Sequence, residues 1–355
     1  MIYLDYAATS LFRENIFKYV YEHLTDFDGN TESVHAFGRS SKKILEEARR
    51  DIAASFNADP KNIYFTSGAS EGNNTILHMF KPNELLTTNI EHTSVSSNTT
   101  NKTTFLNVDK SGVLKLSDLK EKLTDNIRLV SIQYVNNEVG TIQPVFEVGE
   151  YLKENRPDIW YHVDAVQAYG HIDIDVEKIK CDSLSVSSHK IGATKGFGVL
   201  YAKKHFSPII IAGDQEEGLR GSTSNVIGAF AMNSAYQDTI KERDYISDLN
   251  QYFLNKLSFS HINYEINGES ENKSSHIINI YFPDFKTDFL LTYLDMHGIC
   301  VSSGSACKAG SHIPSKVITN MYGEDRANHS IRFSFGYKNT KEEIDKVIDI
   351  LSNIK

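Results

Sequence analysis

The sequence predicts an α/β protein whose main β-sheet is largely parallel. Three observations lead to this prediction. Short apolar segments alternate with segments of helical periodicity over roughly the first 245 residues, as in strands joined by crossover helices. The pattern then changes to a smaller α+β arrangement near residue 246. The chain has 355 residues, enough for a large core and two lobes, and no internal repeat or low-complexity linker interrupts it.

The first part of the chain contains the clearest helix and strand patterns. Residues 40–56 place apolar side chains at every fourth position, at Ile44, Ala48, Ile52 and Phe56, which predicts an amphipathic helix. Residues 62–65 are predicted to form a strand, which leads into the turn TSGASEGNN and a second helix. Four later segments are predicted strands: residues 129–134, 160–163, 183–186 and 198–201.

The second part of the chain predicts a mixed α+β lobe. The segments HIINIYF, GICVSS and HSIRFSF are predicted strands that alternate with helices. The last helix opens with Thr340 and Glu343, a capping box in which each side chain accepts from a backbone N–H group at the start of the helix. Its buried stripe consists of Ile344, Val347, Ile348 and Leu351.

Composition and charge exclude several classes of protein. The net charge of −9 argues against a general nucleic-acid binder, because there is no basic excess to neutralise phosphates. Three cysteines without a CxxC pair predict neither a disulfide framework nor a zinc site made of cysteines. The first residues do not resemble a secretory signal, and no apolar segment is long enough to cross a bilayer. We expect a cytoplasmic protein with no direct contact with nucleic acid or membrane.

Polar groups follow several predicted strands, where ligands of such sheets bind. A lysine, Lys190, can condense with an aldehyde, and an aspartate, Asp164, can keep a pyridine nitrogen protonated. The turn Gly68-Ala69-Ser70 offers backbone N–H groups and a hydroxyl to a phosphate at the start of a helix. Together they predict a site for pyridoxal 5'-phosphate (PLP). A nucleotide site is the alternative for the glycine turn, but neither GxxxxGK[ST] nor GxGxxG is present.

Motifs spread from Tyr3 to Gly336 give the chain a family resemblance. They are YLDYAAT, VHAFGR, FTSGASEGNN, EHTSV, VSIQYVNNEVGTIQP, YHVDAVQAYG, SVSSHKIGATKGFGVLY, SSGSAC and SIRFSFG. In this order they resemble the NifS/IscS-like cysteine desulfurases, in the class V branch of the fold type I PLP enzymes. The resemblance implies a homodimer whose large PLP-binding domain, residues 13–245, contains a mostly parallel seven-stranded sheet. It implies a small α+β domain made of residues 1–12 and 246–355.

The resemblance also implies roles for individual residues. The catalytic residues are Lys190, which bonds to the cofactor aldehyde, His92, which stacks on the ring and moves protons, and Cys307, which receives the sulfur. Arg332 matches the arginine that holds the substrate carboxylate, and Asn137 matches an asparagine on the cofactor and substrate side. The implied cofactor-binding residues are Ala69, Ser70, His92, Asn137, Asp164, Gln167, Ser187, His189, Lys190 and Thr223, the last of which resembles a threonine that reaches the phosphate of the neighbouring subunit.

The resemblance implies that L-cysteine is converted to L-alanine while its sulfur passes to Cys307 as a persulfide. The tract VSSGSACKAGS around Cys307 has little apolar surface, and its serine, glycine and alanine residues permit movement between the site and an acceptor protein. Cys181 and Cys300 are interpreted as packing residues. The structural alternatives are a core histidine at His92 and an ion pair at Arg332.

Some positions depart from the family pattern, and several functions stay open. Ser188 and Val166 replace a glycine and a threonine, GATKG lacks a tyrosine and a proline, and the stretch AGDQEEGLRGST is reordered before Thr223. The alternative functions are a selenocysteine lyase, a class V aminotransferase or a non-catalytic sulfur-relay scaffold. The sulfur acceptor, in iron–sulfur cluster assembly or tRNA thiolation, is not identified by the sequence.

Overall fold

The structure, a computed structural model, describes residues 1–269, 271–304 and 314–354. The predicted sulfur-accepting residue, Cys307, lies outside the described residues.

A seven-stranded sheet forms the centre of the molecule, with the strand order β2-β8-β7-β6-β5-β3-β4. All neighbouring pairs are parallel except the two made by β8, which runs antiparallel to β2 and β7. The predicted mostly parallel seven-stranded sheet is therefore confirmed. Its strands are β2 (Ile63–Thr66), β3 (Leu85–Thr88), β4 (Thr104–Leu106), β5 (Leu129–Gln133), β6 (Trp160–Asp164), β7 (Ser183–Ser187) and β8 (Gly198–Ala202).

Helices cover both faces of this sheet, so its strands are buried on both sides, as expected for parallel strands. The helices that precede or cross over the sheet are α1 (Glu14–Glu22), α2 (Leu24–Phe27), α3 (Ala36–Ser55), α4 (Ala69–Leu77), α5 (Thr93–Ser96), α6 (Leu116–Lys122), α7 (Val145–Asn155), α8 (Val176–Ile179) and α9 (Val226–Thr239). One buried cluster joins α3 and α7 to the sheet, and a second joins α4 to it.

Helix α3 begins four residues earlier than the predicted start at residue 40. The reason is an unusual cap, because the His35 side chain accepts from the Gly38 backbone N–H, and histidine is not among the usual N-cap residues. The predicted apolar stripe is buried as expected at Ala48 and Ile52, and Phe56 follows the helix as a fully buried side chain.

The C-terminal part of the chain builds a smaller lobe around its own buried cluster. Leu4, near the N-terminus, belongs to this cluster together with Phe253, Phe333 and Leu351. The elements of this part are β1 (Ile2–Tyr3), which pairs with β11, α10 (Arg243–Ser258), β9 (Glu265–Asn267), β10 (Ile277–Tyr281), α11 (Thr287–Met296), β11 (Ile299–Cys300), α12 (Lys316–Tyr322), α13 (Glu324–Ala327), β12 (Ser330–Ser334) and α14 (Lys341–Ser352).

Six strands of the central sheet end at one edge, and the segments that follow five of them carry the predicted site. Strands β2, β3, β5, β6 and β7 lead respectively to Ala69, His92, Asn137, Gln167 and Lys190. No helix within the described ranges is both long and apolar enough to cross a membrane.

Candidate active site

A cavity of about 450 Å³ lies at this edge of the sheet. Of the predicted site residues, Thr223 does not line it, and Cys307 lies outside the described residues. The other predicted residues all line this cavity: Ala69, Ser70, His92, Asn137, Asp164, Gln167, Ser187, His189, Lys190 and Arg332. Residues from the sheet, the crossover loops and the smaller lobe therefore meet at one place.

Lys190 follows β7 in a short turn of 3-10 helix. Its Nζ donates to the carbonyl oxygens of Ala7 and Ala8, at 2.7 and 2.8 Å. The preceding Ser188, which replaces a family glycine, is fully buried, and its hydroxyl lies 2.9 Å from the carbonyl oxygen of Phe197. The serine is therefore satisfied within the turn, and the lysine still reaches the cavity.

Asp164 is the last residue of β6, whereas the sequence predicted it as the first residue after that strand. Its Oδ2 accepts from Nδ2 of Asn73 at 2.7 Å, and its Oδ1 accepts from the backbone N–H of Val166 at 3.1 Å. Both donors stabilise the charged form of this buried carboxylate.

His92 is the N-cap residue of α5. Its Nδ1 accepts from the Ser94 backbone N–H at 3.1 Å and lies 2.9 Å from Ser94 Oγ. Burial lowers the pKa of His92, the Asp164 carboxylate acts in the opposite direction, and the Lys190 ammonium lowers it further. A neutral imidazole with an accepting Nδ1 carries its proton on Nε2.

His189 lies beside Lys190 on the same turn. Its Nδ1 is 3.2 Å from Oγ1 of Thr9. Burial, with the charges of Lys190 and Lys195, lowers the pKa of His189 to about 4. The imidazole is therefore neutral near pH 7 and can contribute hydrogen bonds but no positive charge.

Gln167 connects the N-terminal segment to the smaller lobe. Its Nε2 donates to the carbonyl oxygen of Ala7 at 2.9 Å, and its Oε1 lies 3.0 Å from Nε2 of His276. The His276 ring stacks on His171 with ring centroids 3.6 Å apart. These two contacts use the amide oxygen and one amide hydrogen of Gln167. The second amide hydrogen remains available for a ligand, because Gln167 lines the cavity.

Arg332 lies on β12 and is only 1% exposed. Its Nη2 donates to Oδ1 of Asp5 and its Nη1 to the carbonyl oxygen of Asn137, both at 2.8 Å. The Nε atom of Arg332 and the Oδ1 atom of Asn137 are buried without a hydrogen-bond partner among the described residues. Arg332 therefore forms the ion pair that was the structural alternative, with Asp5. Its Nε–H group is still available as a hydrogen-bond donor beside the cavity.

The start of α4 forms the other end of the cavity. The helix has no side-chain cap, and Gly68 before it adopts φ +152°, a conformation that favours glycine. A Cβ atom at Gly198 would lie 2.7 Å from the Gly68 Cα, so the turn sits directly on β8. The N–H groups at Ala69 and Ser70, next to the Ser187 side chain, therefore face the cavity without a competing cap.

Thr223 is exposed, in the reordered stretch of the sequence. Glu216, earlier in this stretch, accepts from Arg49 at 2.7 Å and from the Phe65 backbone N–H at 3.0 Å, which fixes the stretch against β2. Thr223 does not line the cavity of its own chain.

The ends of the segment that contains Cys307 lie next to the site. Ser302 pairs with Arg332, whose backbone N–H donates to the Ser302 carbonyl oxygen at 2.6 Å. At the other end, Ser315 donates to Glu138, the neighbour of Asn137.

Sequence reasoning missed several residues that support the site. The Ala7 and Ala8 carbonyl oxygens hold Lys190, but backbone acceptors leave no mark in a sequence. Asn73 lies in the quoted motif FTSGASEGNN and was not singled out, although a buried amide one turn into a helix is a recognisable signal. Glu91 precedes His92 and is buried, and burial raises the pKa of Glu91 to about 8.

Comparisons with known proteins give similarity over nearly the whole chain. The model of the Aminotransferase class-V family matches residues 2–347. A Bacillus subtilis (strain 168) protein named "Putative cysteine desulfurase IscS 1" is 42% identical over 97% of this chain and 95% of its own length. Cysteine desulfurase IscS of Dictyoglomus turgidum is 35% identical over 99% of this chain and 94% of its own length. The X-ray structure of a NifS-like protein from Rickettsia africae ESF-5 superposes with a TM-score of 0.89 at 30% identity, covering 99% of this chain and 98% of that one.

Proposed function

This chain belongs to the class-V aminotransferase family, and we propose that it acts there as a PLP-dependent cysteine desulfurase. It converts L-cysteine to L-alanine and transfers the sulfur to Cys307. The observation that carries this proposal is the cavity in which Lys190, Asp164 and Arg332 meet. An amine, a carboxylate held in its charged form and a buried guanidinium together suit an amino-acid substrate and a pyridine cofactor.

The residues around the cavity fit PLP, the cofactor of this enzyme family. The start of α4, with Ala69 and Ser70, offers N–H donors to the phosphate. Ser187, His189 and Gln167 add polar groups on the same cavity wall. The unpartnered Oδ1 of Asn137 and Nε of Arg332 are buried polar atoms that a bound ligand would satisfy. When bound, PLP supplies an aldehyde that condenses with amines and a ring that withdraws electrons from the amino acid.

Lys190 is the amine and the base of the proposed reaction. Two carbonyl oxygens already hold its Nζ at the cavity wall, within 2.8 Å. From this position Lys190 moves the proton away from Cα of the bound cysteine. Neutral His92 carries its proton on Nε2 and lines the same cavity, so it can transfer a proton there.

Arg332 holds the carboxylate of the substrate. Its Nη1 and Nη2 atoms are anchored by Asn137 and Asp5, which fixes the plane of a guanidinium that is only 1% exposed. A planar fork of donors suits a carboxylate better than the single ammonium of a lysine. Asn137, next to it, lies on the substrate and cofactor side of the cavity.

Cys307 takes the sulfur as a thiolate. Its sulfur attacks Sγ of the substrate, the Cβ–Sγ bond breaks, and Cβ keeps the electron pair and gains a proton, which gives alanine and a Cys307 persulfide. Gly304, the last described residue before it, is three residues away, and three extended residues span roughly 10 Å. Because Ser302 pairs with Arg332, this span supports access of Cys307 to the cavity.

The proposed partners follow from the same site. The persulfide passes to an acceptor protein, of iron–sulfur cluster assembly or tRNA thiolation. We also propose a homodimer in which exposed Thr223 completes the phosphate end of the neighbouring subunit's cavity. Two domains, residues 13–245 and residues 1–12 with 246–355, are supported by the separate buried clusters of the sheet and of the smaller lobe.

Three variants test the function. Protein purified with PLP should be yellow, and Lys190→Ala should lose the visible absorption of the lysine-bound cofactor. Cys307→Ser should keep that absorption but should form neither alanine nor sulfide from cysteine and a reductant. Cys300→Ser, at a half-buried cysteine, is the matched control and should behave as wild type. Alanine formed by Cys307→Ser at the wild-type rate contradicts the persulfide, and 3-mercaptopyruvate as the main product indicates an aminotransferase.

A further inference from the structure

A buried chain of hydrogen bonds begins at Asp164 and continues through residues that do not line the cavity. Asn73 Nδ2 lies 2.7 Å from Asp164 Oδ2, and Asn73 Oδ1 lies 2.9 Å from Nε2 of His162. His162 Nδ1 is 2.8 Å from Ser183 Oγ, which is 2.7 Å from Nε1 of Trp160. All of these side chains are buried, and Asn73, His162 and Ser183 have no exposed surface.

The two ends of the chain fix the direction of each bond in it. The Asp164 carboxylate accepts from Asn73 Nδ2, so the Asn73 amide presents its Oδ1 to His162 Nε2, and an amide oxygen can only accept. At the other end, the indole N–H of Trp160 can only donate, so Ser183 Oγ accepts from it and has its own proton for His162 Nδ1. Burial lowers the pKa of His162 to about 3, so the ring is neutral and its single proton lies on Nε2. His162 therefore donates to Asn73 Oδ1, and this directs the N–H donors of Asn73 toward the Asp164 carboxylate.

Asn73 also reaches the other side of the cavity. Its Nδ2 lies 2.8 Å from Ser94 Oγ, which lies 2.9 Å from Nδ1 of His92. Because Ser94 Oγ accepts from Asn73, its proton is available to His92 Nδ1, which also accepts from the Ser94 backbone N–H. One amide thus contacts Asp164 directly and His92 through a single hydroxyl.

We propose that Asn73 and His162 are positioning residues for the reaction, holding the Asp164 carboxylate charged and oriented at the cavity wall. The inference rests on the proposed function, in which Asp164 faces the ring nitrogen of PLP. Without the His162 donor, the Asn73 amide could turn and present its carbonyl oxygen to the carboxylate, which repels it. Asp164 would then lose one of its two hydrogen-bond donors and part of the stabilisation of its charge.

Paired substitutions separate this role from a general role in folding. His162→Phe keeps a ring but removes the donor, whereas His162→Gln keeps an N–H group in the place of Nε2 and should rescue. Asn73→Leu removes the amide itself. The matched control is Thr87→Val, because Thr87 is equally buried in the same sheet and loses one hydrogen bond, to the Ser131 carbonyl oxygen at 2.7 Å, outside the chain described above.

Two readouts other than turnover are measured. The first is the dissociation constant of PLP, from titration of cofactor-free protein. The second is the nitrogen-15 resonance of PLP labelled at the ring nitrogen, which distinguishes the protonated from the unprotonated ring. Emission from Trp160, the single tryptophan of the chain, verifies that each variant has folded around β6.

For His162→Phe and Asn73→Leu we expect the dissociation constant to rise about ten- to a hundredfold, the size seen when outer hydrogen-bond partners of metal ligands are removed. The ring nitrogen should lose its proton at a pH where wild type keeps it. His162→Gln and Thr87→Val should stay near wild type in both readouts. If His162→Phe does not fold, Asn73→Leu and the isosteric Asn73→Asp decide the question, with the larger effect expected for Asn73→Asp because it places a second carboxylate beside Asp164.

The possible failures are distinguishable. If wild type binds PLP with a protonated ring and folded Asn73→Leu does the same with equal affinity, this inference is wrong and the proposed function stands. If wild type does not bind PLP, or binds it equally without Lys190, the proposed function is wrong and this inference falls with it.

Discussion

At the scale of single residues, Glu91 shows how one buried carboxyl changes the response of the protein to pH. Its Oε1 accepts from Thr88 Oγ1 at 2.6 Å and from the Gln133 backbone N–H at 3.1 Å, while Oε2 is buried without a partner among the described residues. Burial raises the pKa of Glu91 to about 8, and the Asp164 charge acts in the same direction. Near pH 7 the Glu91 side chain is therefore protonated and adds no negative charge behind the cavity.

We predict that Glu91→Gln removes a pH dependence from the stability of the cofactor-free protein. Between the unfolded pKa of about 4.3 and the folded pKa of about 8, the folded state keeps a proton that the unfolded state has lost, so this carboxyl stabilises less as pH rises. Urea unfolding at pH 5 to 8 measures the free energy of unfolding of both proteins. The value for the variant minus the value for wild type should increase by roughly 1.4 kcal/mol per pH unit. Glu154→Gln, at an exposed carboxyl, controls for the loss of one charge. A difference that stays constant across this range contradicts the prediction.

At the scale of elements, the contact of α4 with the sheet positions the end of the cavity that is proposed to bind the phosphate of PLP. A Cβ atom at Gly72 would lie 2.5 Å from Ser185 Oγ on β7, so only glycine allows the helix to lie this close. The close contact brings the start of α4, with Ala69 and Ser70, to the end of β7 at Ser187.

We predict that Gly72→Ala destabilises the protein and weakens PLP binding, because the added methyl group pushes α4 away from β7. Overpacking costs about 1–3 kcal/mol, more than the up to about 1 kcal/mol that alanine gains over glycine in a helix. Ser185→Ala removes the nearest atom and should restore part of both losses in the double variant. Urea unfolding and PLP titration measure the two effects. If Gly72→Ala is as stable as wild type, or if Ser185→Ala restores neither stability nor PLP binding, this contact does not determine how close α4 lies to β7.

The elements also show which patterns predict structure from sequence. The buried strands β5, β6, β7 and β8 lie within one residue of their predicted bounds. The predicted capping box is confirmed at Thr340 and Glu343, which exchange hydrogen bonds at the start of α14. Strand β4 was not predicted, since it has only three residues at the sheet edge, of which two are partly buried, and so short a segment gives no pattern.

At the scale of the whole molecule, the site depends on segments that are distant in sequence. Polar residues after strands could be predicted to meet, because parallel strands end at one edge, and ten of the predicted residues line one cavity. The contacts of Lys190 with Ala7 and of Arg332 with Asp5 could not, since they depend on the path of the N-terminal segment across the sheet. Thr223 stays a prediction, because it does not line the cavity of its own chain.

In the proposed homodimer, a second copy of the chain receives Thr223 at its cavity. Ile211 and Val34 are 83% and 88% exposed, and Phe37 is also exposed. The two segments that carry them adjoin, since Thr31 Oγ1 lies 3.4 Å from Ser224 Oγ. Exposed apolar groups concentrated beside Thr223 favour an interface there.

We predict that Ile211→Asp breaks the proposed homodimer, because it places a charge in an apolar contact. Light scattering after size exclusion should show a dimer for wild type and a monomer for Ile211→Asp. Phe259→Asp, at an 87% exposed residue of the smaller lobe, should leave the dimer intact. A wild-type monomer at all concentrations would contradict the homodimer.

Mixed dimers test whether Thr223 acts across the interface. Thr223→Ala alone should weaken PLP binding without dissociating the dimer, and Lys190→Ala should lose the lysine-bound cofactor. If Thr223 acts across the interface, a mixed dimer of one Lys190→Ala chain and one Thr223→Ala chain contains one complete cavity. This is the cavity of the Thr223→Ala chain, which keeps its own Lys190 and receives Thr223 from its neighbour. Co-expression with two affinity tags yields this mixed dimer, and titration should find one site of wild-type affinity per dimer. If Thr223 acts within its own chain, no cavity in the mixed dimer is complete, and every remaining site should bind PLP as weakly as Thr223→Ala does.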